Sequence, residues 1–220
     1  MCGRYALAAP ADELIEAFDI GALTFDYFAR FNIAPGQDVL VVAEDRNGRR
    51  AGLLNWGLVP SWSDGSHRPM INARAESVST KPSFREAFDR RRCLVPASGF
   101  YEWQKPEGGG PKRPHWFSPS GRGVVSFGAI WETWRRPGLS PKHTLAILTT
   151  DANEDVTGIH HRMPVVVTPE RRERWLARDV RGADVEAMLR PAPAGTFERW
   201  EVSPRVNRVG EDDAGLIEPS

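Results

Sequence analysis

Short apolar or alternating runs, separated by turn residues, dominate the chain. Eight runs are rich in β-branched and aromatic residues and are bounded by Gly or Pro, a pattern that predicts β-strands. They are YALA, DVLVVAED, RRAGLLNWGLVP, RCLVPASGFYEW, PHWFSP, GVVSFGAIWETW, HTLAILTT and MPVVVTP. The Asn47-Gly48 pair predicts a tight hairpin between the second and third runs, and KPEGGGPKR predicts an exposed hairpin loop.

Helical patterns are fewer. They occur in PADELIEAFDI, KPSFREAFDRR, TPERRERWLARD and ADVEAMLRP, and Thr168 before Pro169 is typical of a helix start. Many strands with few helices predict a strand-dominated α+β fold with helices at the periphery. No repeat or linker divides the chain, so we expect one domain over residues 1–220. Residues 211–220 resemble a C-terminal tail whose Leu-Ile pair could still dock.

Composition bounds the possible partners. The 220 residues carry no formal net charge, so a nucleic-acid site would have to be a local basic groove balanced by acidic residues elsewhere. Arginine outnumbers lysine 25 to 4, but a GC-rich genome raises arginine generally, so only arginines inside motifs carry weight. Eight tryptophans supply core, interface or base-stacking side chains.

The two cysteines exclude a disulfide framework and a cysteine metal site. Cys93 lies in an apolar run and is interpreted as a buried structural thiol, which leaves Cys2 to be explained. No secretory or membrane-length apolar run is present. We therefore expect a cytoplasmic protein without a membrane partner, a metal or a cofactor.

Cys2 follows the initiator methionine. If Met1 is removed, one residue carries an α-amine with a reference pKa near ~8 and a thiol with one near ~8.5, so both have a reactive form at neutral pH. Any small residue at position 2 would also permit methionine removal. The MCG sequence alone therefore does not decide between a reactive and an ordinary cysteine.

Four further stretches place polar residues where packing alone would not. They are RFNIAPGQ with Asn32, MINARAES with Asn72, Arg74 and Glu76, SGFYEW with Glu102, and GIHHRMP with His160, His161 and Arg162. Each has a structural interpretation as well. Asn32 could cap a turn, Glu102 could face water from an alternating strand, and adjacent histidines are commonly hydrogen-bonded loop residues.

Taken together, MCGRY, NIAPGQ, WGLVPSW, INARAES, RRCLVPASGFYEW and IHHRMPVVV resemble, in order and spacing, the SOS response-associated peptidase (SRAP) family. The resemblance covers about residues 2–204. It implies mixed β-sheets forming a barrel-like core. It also implies a protein of the DNA damage (SOS) response that crosslinks to single-stranded DNA containing abasic sites. We expect a monomer that associates with the nucleoid when bound to DNA.

The resemblance assigns site residues. The family's catalytic positions match Cys2, Asn72, Glu102 and His160. Its DNA-contacting positions match Arg4, Asn32, Pro35, Trp62, Asn72, Arg74 and Arg162. Trp62 and Pro35 would stack on or wedge against bases, and the arginines would neutralise phosphates. His161 occupies a variable position and receives no role.

These residues suit a condensation with an aldehyde. The amine of Cys2 can attack C1′ of a ring-opened abasic sugar to form an imine, and its thiol can then close a five-membered thiazolidine. Glu102, walled by aromatic neighbours, would transfer protons with a pKa raised by burial. His160 would protonate the ring oxygen of the sugar and could assist reversal, and Asn72 would hold sugar oxygens.

Other classes remain open. An N-terminal-nucleophile amidohydrolase also begins with Cys-Gly after methionine removal, and release of ammonia from glutamine would favour it. A non-catalytic single-strand-binding module would keep its function after Cys2→Ala. Peptidase activity limited to removal of Met1, and cleavage of the DNA strand beside the abasic site, are compatible with the same residues.

Overall fold

The computed structural model describes residues 2–66, 68–121 and 123–220. The strands are β1 (Tyr5–Leu7), β2 (Arg30–Ile33), β3 (Asp38–Asp45), β4 (Gly48–Trp56), β5 (Asn72–Arg74), β6 (Arg92–Ala97), β7 (Gly99–Gln104), β8 (Arg113–Pro119), β9 (Val125–Trp134), β10 (Lys142–Asp151), β11 (Arg162–Pro164) and β12 (Phe197–Glu201). The helices are α1 (Ala11–Phe18), α2 (Arg85–Arg90), α3 (Glu154–Thr157), α4 (Pro169–Leu176) and α5 (Ala183–Glu186). None of these helices is long and apolar enough to cross a membrane.

Two β-sheets build the core. The larger has the order β11-β10-β4-β3-β6-β9, and β9 also pairs with β10, so five of its strands close into a ring. Strand β10 runs parallel to β4 and β5, whereas its pairings with β9 and β11 are antiparallel. The second sheet has the order β12-β8-β7-β1-β2. The prediction of a strand-dominated α+β fold with a barrel-like core is confirmed.

The run RCLVPASGFYEW, predicted as one strand, is two strands in different sheets. Strand β6 belongs to the ring and β7 to the second sheet, and the chain passes between them at Ser98 and Gly99. A Cβ atom at Gly99 would lie 2.3 Å from the carbonyl oxygen of Phe117 and 2.4 Å from the ring of Trp116, so no side chain fits there. This crossing places Glu102 on the second sheet, beside the N-terminal strand.

Three strands were not predicted from the sequence. β2, β5 and β12 are three to five residues long, too short for alternation to be recognised. β5 lies in the stretch MINARAES and pairs with Ile147–Thr149 of β10. By contrast, the Asn47-Gly48 hairpin is confirmed, with Asp45 opposite Gly48 and a φ of +100° at the glycine.

The C-terminal segment is packed against the domain and is not a free tail. Val206 and Leu216 are buried with Tyr101 in a small apolar cluster. The amide of Ser220 donates to the carbonyl oxygen of Glu201 at 3.1 Å. This docking brings residues 204–216 close to the N-terminus.

Candidate active site

Cys2 and Glu102 lie side by side at the end of the second sheet. Tyr5 pairs with Phe100, and the amide of Tyr101 donates to the carbonyl oxygen of Arg4 at 3.0 Å. Continuing this register sets residue 3 opposite Glu102, with Cys2 next along the chain. Both side chains are buried, at 0% exposure for Cys2 and 4% for Glu102. The predicted removal of Met1 concerns a residue outside the described ones.

Burial controls the ionisation of this pair. It raises the pKa of the Cys2 thiol, and the nearby Glu102 carboxylate raises that pKa further. Burial likewise raises the pKa of Glu102, with Lys112 acting in the opposite direction. The thiol is therefore protonated at neutral pH, and Glu102 is moved toward the range in which a carboxyl group can exchange protons.

Asn72, another of the predicted catalytic residues, lies on β5. Its Nδ2 donates to the carbonyl oxygen of Ile147 in β10 at 3.4 Å. Its Oδ1 is buried and has no hydrogen-bond partner in the described part of the chain. Because an unpaired buried acceptor costs free energy, this oxygen is suited to receive a hydrogen bond from a ligand.

His160 lies on the loop between α3 and β11. The amide of Arg162 donates to His160 Nδ1 at 2.9 Å, and this leaves the proton of the neutral ring on Nε2. Burial, with lesser help from His161 and Lys112, lowers the pKa of His160 to about 4. We expected His160 to act as a proton donor. The resting ring is neutral at pH 7, so it offers a hydrogen bond from Nε2–H instead of an imidazolium proton.

A hydrogen bond joins the His160 loop to the strand that carries Glu102. Nε2 of Gln104, at the end of β7, donates to the carbonyl oxygen of Gly158 at 3.5 Å. Lys112 acts electrostatically on both Glu102 and His160. Sequence reasoning assigned its segment only to a flexible loop, so this lysine was missed; its position in a glycine-rich connection gave no signal of function.

Arg162 is enclosed by carboxylates. It is 6% exposed, and its guanidinium donates to Glu76 at 2.7 and 2.9 Å, to Asp151 at 2.7 Å and to the carbonyl oxygen of Thr149 at 2.7 Å. The expected phosphate contact by Arg162 stays a prediction. To make it, this 6% exposed guanidinium would have to exchange the carboxylate partners that it has here. It ties the segment after Asn72 to the loop that holds His160.

Asn32 and Arg4 also have structural partners. Asn32 is 1% exposed, and its Oδ1 accepts a hydrogen bond from Arg4 Nη1 at 2.7 Å. Its Nδ2 faces three carbonyl oxygens, those of Val206 at 3.3 Å, Arg208 at 2.9 Å and Glu211 at 2.7 Å. Arg4 also donates to the carbonyl oxygen of Val206 at 2.7 Å. The expected DNA contact by Asn32 stays a prediction. In this structure its side-chain amide is buried and hydrogen-bonded to the segment 206–211. Arg4 is half-buried and keeps some exposed surface.

The remaining predicted contacts are accessible. Trp62 is 57% exposed on the loop after β4, and Arg74 is exposed at the end of β5. Pro35 is half-buried in the turn after β2, where the amide of Gly36 donates to the carbonyl oxygen of Trp56 at 2.7 Å. In residues 2–66, 68–121 and 123–220, no group of three or more His, Cys, Asp or Glu side chains could hold a metal ion.

Comparison with known proteins decides the family. The family model described as SOS response associated peptidase (SRAP) matches residues 1–209. The chain belongs to this family. The SRAP domain therefore spans nearly the whole chain, from the N-terminal strand to the docked C-terminal segment.

Named SRAP relatives occur in bacteria and vertebrates. The abasic site processing protein YoqW of Bacillus subtilis is 36% identical over 225 residues, covering 99% of both chains. The abasic site processing protein YedK of Escherichia coli is 30% identical over 226 residues, covering 100% of both. The abasic site processing protein HMCES of Gallus gallus is 33% identical over 193 residues, covering 76% of this chain and 56% of the relative.

Solved structures share the SRAP fold. A protein from Bacteroides thetaiotaomicron aligns with a TM-score of 0.88 and 22% identity over 100% of both chains. A phage-related protein from Bordetella bronchiseptica aligns with a TM-score of 0.75 and 27% identity, covering 91% of this chain and 94% of that one.

The catalytic residues predicted for this SRAP domain come from both sheets. Cys2 and Glu102 stand on the β1–β7 pair, whereas Asn72 and His160 flank the C-terminal half of β10. Arg162 and Glu76 hold the latter two segments together. Glu76 lay inside a recognised motif, but nothing in the sequence indicated its partner.

Proposed function

We propose that this protein binds single-stranded DNA at abasic sites and forms a covalent thiazolidine crosslink through Cys2 after Met1 is removed. The observation that carries the proposal is the buried Glu102 carboxyl group beside the residue that would bear both the free amine and the thiol. Relatives covering nearly the whole chain are named abasic site processing proteins, which supports the same substrate.

The first step is condensation. The neutral α-amine of Cys2 adds to the C1′ aldehyde, and Glu102 carries one amine proton to the oxygen, which gives a carbinolamine. Glu102 then takes the second amine proton and delivers it to the hydroxyl, so that water leaves and an imine forms. A carboxyl group whose pKa is raised by burial is suited to both transfers.

The second step closes the ring. The sulfur of Cys2 adds to the imine carbon while the thiol proton moves to the nitrogen, which yields a neutral thiazolidine and consumes no further reagent. Because amine and thiol belong to one residue, closure has the effective-molarity advantage of an intramolecular reaction, on the order of 10⁵–10⁸ M in favourable cases. The raised thiol pKa favours this order, in which the amine reacts first.

His160 and Asn72 would hold the sugar. Nε2–H of the neutral His160 ring can donate to the sugar ring oxygen and stabilise the open form as that oxygen becomes a hydroxyl. The unpaired Oδ1 of Asn72 can accept from a sugar hydroxyl. Single strands are favoured because Trp62 and Pro35 can stack only on bases that lack a pairing partner, while Arg74 faces a phosphate.

The amidohydrolase alternative is less well supported. It requires the sulfur to attack first, whereas burial raises the pKa of the Cys2 thiol. Removal of Met1 by the same site, as the family's peptidase name suggests, and strand cleavage from the imine remain compatible side activities. A function in the DNA damage (SOS) response would follow from the proposed substrate.

Mass spectrometry tests the proposal directly. The protein is mixed with an oligonucleotide containing one abasic site. The expected adduct has the mass of the protein without Met1 plus the oligonucleotide minus one water. Reducing the abasic aldehyde to the alcohol should abolish the adduct and leave non-covalent binding nearly unchanged.

Cys93→Ala is the matched cysteine control and should crosslink normally, since Cys93 is buried in β6. An adduct that retains Met1, or one that depends on Cys93, would contradict the mechanism. Ammonia release from glutamine without any DNA adduct would favour the amidohydrolase.

A further inference from the structure

A basic hairpin lies outside every site described so far. It joins β9 to β10 and carries Arg136 and Lys142, both exposed. In the part of the chain that the structure describes, neither cation has a carboxylate within ion-pair distance. Some other exposed arginines are paired, as Arg113 is with Glu201 at 3.6 Å. Two unneutralised cations at one hairpin form a local positive surface on a chain without net charge.

The hairpin is bonded to the loop that carries Trp62. Trp134 Nε1 donates to the carbonyl oxygen of Ser63 at 2.8 Å. The guanidinium of Arg136 lies over the Trp134 ring at 5.7 Å, and its Nη1 would be 3.1 Å from a Cβ atom added at Gly65. The Trp62 loop and the hairpin therefore form one continuous surface.

Lys142 borders the same surface from the other strand. It pairs directly with Trp134 in the β9–β10 ladder, and directly opposed residues project to the same face of a sheet. Arg136 and Lys142 thus both adjoin Trp134. We call Trp62, Arg136 and Lys142 the hairpin surface.

Strand β10 connects this surface to the candidate active site. Asn72 pairs with Ile147, which is five positions along β10 from Lys142. At about 3.3 Å per residue, the hairpin surface begins about 16 Å from Asn72. Nucleotides stacked as in a duplex advance about 3.4 Å each along one strand, and an extended single strand advances further, so this distance corresponds to at most about five nucleotides.

We propose that the hairpin surface binds the phosphate backbone of the DNA at most about five nucleotides to one side of the abasic site. Charge complementarity between two unpaired cations and phosphates supports this partner. So does the continuity of the surface with Trp62, an exposed aromatic ring suited to stacking on the intervening bases. The inference rests on the proposed function and adds a second, remote DNA contact to it.

The test uses the double variant Arg136→Ala/Lys142→Ala and DNA whose abasic site has been reduced, so that only non-covalent binding is measured. Three oligonucleotides carry the site with two nucleotides on each side, or with an extension to ten nucleotides on the 5′ side or on the 3′ side. Binding is followed by fluorescence anisotropy over a range of NaCl concentrations. The matched control is Arg171→Ala/Arg178→Ala, which removes two exposed arginines from the region of α4.

The salt slope is the slope of the logarithm of the binding constant against the logarithm of the NaCl concentration. On one of the two extended oligonucleotides, its magnitude for the hairpin variant should fall by about 1.4, or about 0.7 for each lost phosphate contact. On the short oligonucleotide and on the other extension, the slope should equal that of the wild type. The control variant should match the wild type throughout.

A wild-type slope on both extensions, or an equal loss on all three oligonucleotides, would overturn the inference. The proposed function is tested separately, by crosslinking to the short oligonucleotide with an unreduced site, which both variants should perform at the wild-type rate. Failure of the wild type to crosslink would remove the proposed chemistry without altering the slopes.

Discussion

Two arginines that the family resemblance places on DNA are expected to behave oppositely when replaced. Arg74 is exposed at the end of β5 and has no carboxylate within ion-pair distance among the residues that the structure describes, whereas Arg162 is 6% exposed and bound to Glu76 and Asp151. Methionine preserves much of the length of the side chain and removes its charge. Arg74→Met and Arg162→Met therefore separate a DNA contact from a structural ion pair.

The magnitude for Arg162→Met follows from its four hydrogen bonds of 2.7 to 2.9 Å. Breaking a buried ion pair from one side typically costs about 3–5 kcal/mol. Here the two carboxylates are 51% and 78% exposed and can be rehydrated, so the free energy of unfolding should fall by only about 2–3 kcal/mol. For a domain of this size, that corresponds to a fall in Tm of roughly 4–12 °C.

Urea unfolding measures the stability of each variant. The salt dependence of binding to reduced abasic DNA measures its phosphate contacts. Both are done at 15 °C, where the variants remain folded. Arg162→Met should lose stability and keep the wild-type salt slope. Arg74→Met should keep stability and lose about 0.7 from the slope, the amount for one phosphate on single-stranded DNA. A stable Arg162→Met with a reduced slope would refute the structural assignment.

Three further predictions concern the chemistry. Cys2→Ala keeps the amine and loses the thiol, so its adduct should be trapped by borohydride but lost on heating; a heat-stable adduct would rule out the thiazolidine. Glu102→Gln should slow crosslinking by about 10²–10⁴-fold and give a product as stable as that of the wild type, whereas a normal rate would make Glu102 only a strand residue. The pKa of His160 is about 4 in the folded chain and 6.5 in the unfolded chain. Between these pH values the unfolded chain therefore binds a proton that the folded chain does not. Stability should thus fall as pH falls through this window, and His160→Gln should flatten that fall; a ring that titrates near 6.5 by NMR would contradict it.

The strands that could be predicted are those whose pattern is complete within the strand. DVLVVAED alternates, ends at a turn and becomes β3 with the same bounds, Asp38–Asp45. The division of RCLVPASGFYEW could not be predicted, because both halves are apolar and the change of sheet depends on contacts between Gly99 and β8. Hydrophobic periodicity indicates which residues are buried. Because β6 and most of β7 are both buried, it could not separate them.

The same limit applied to the site. The motifs identified the residues, but the partners of Arg162 and Asn32 are distant in sequence. Arg162 pairs with Glu76, 86 residues away, and Asn32 with carbonyl oxygens of Val206 and Arg208, more than 170 residues away. An arginine and an asparagine in a DNA-binding motif have the donors to contact phosphates or to hold the scaffold. Only the fold decides which of these they do.

The buried groups of the candidate site and the exposed cations Arg74 and Lys112 differ in their electrostatic character. Burial raises the pKa values of Cys2 and Glu102 and lowers that of His160, so all three groups are shifted toward their neutral forms. Condensation of an amine with an aldehyde needs such an interior, because the attacking nitrogen must be unprotonated and the intermediates after it are neutral. The proposed DNA contact needs positive charge, which Arg74 and Lys112 would supply from exposed positions where desolvation costs little. In this arrangement a chain of zero net charge would attract a polyanion through exposed cations, while burial shifts the three interior groups toward their neutral forms.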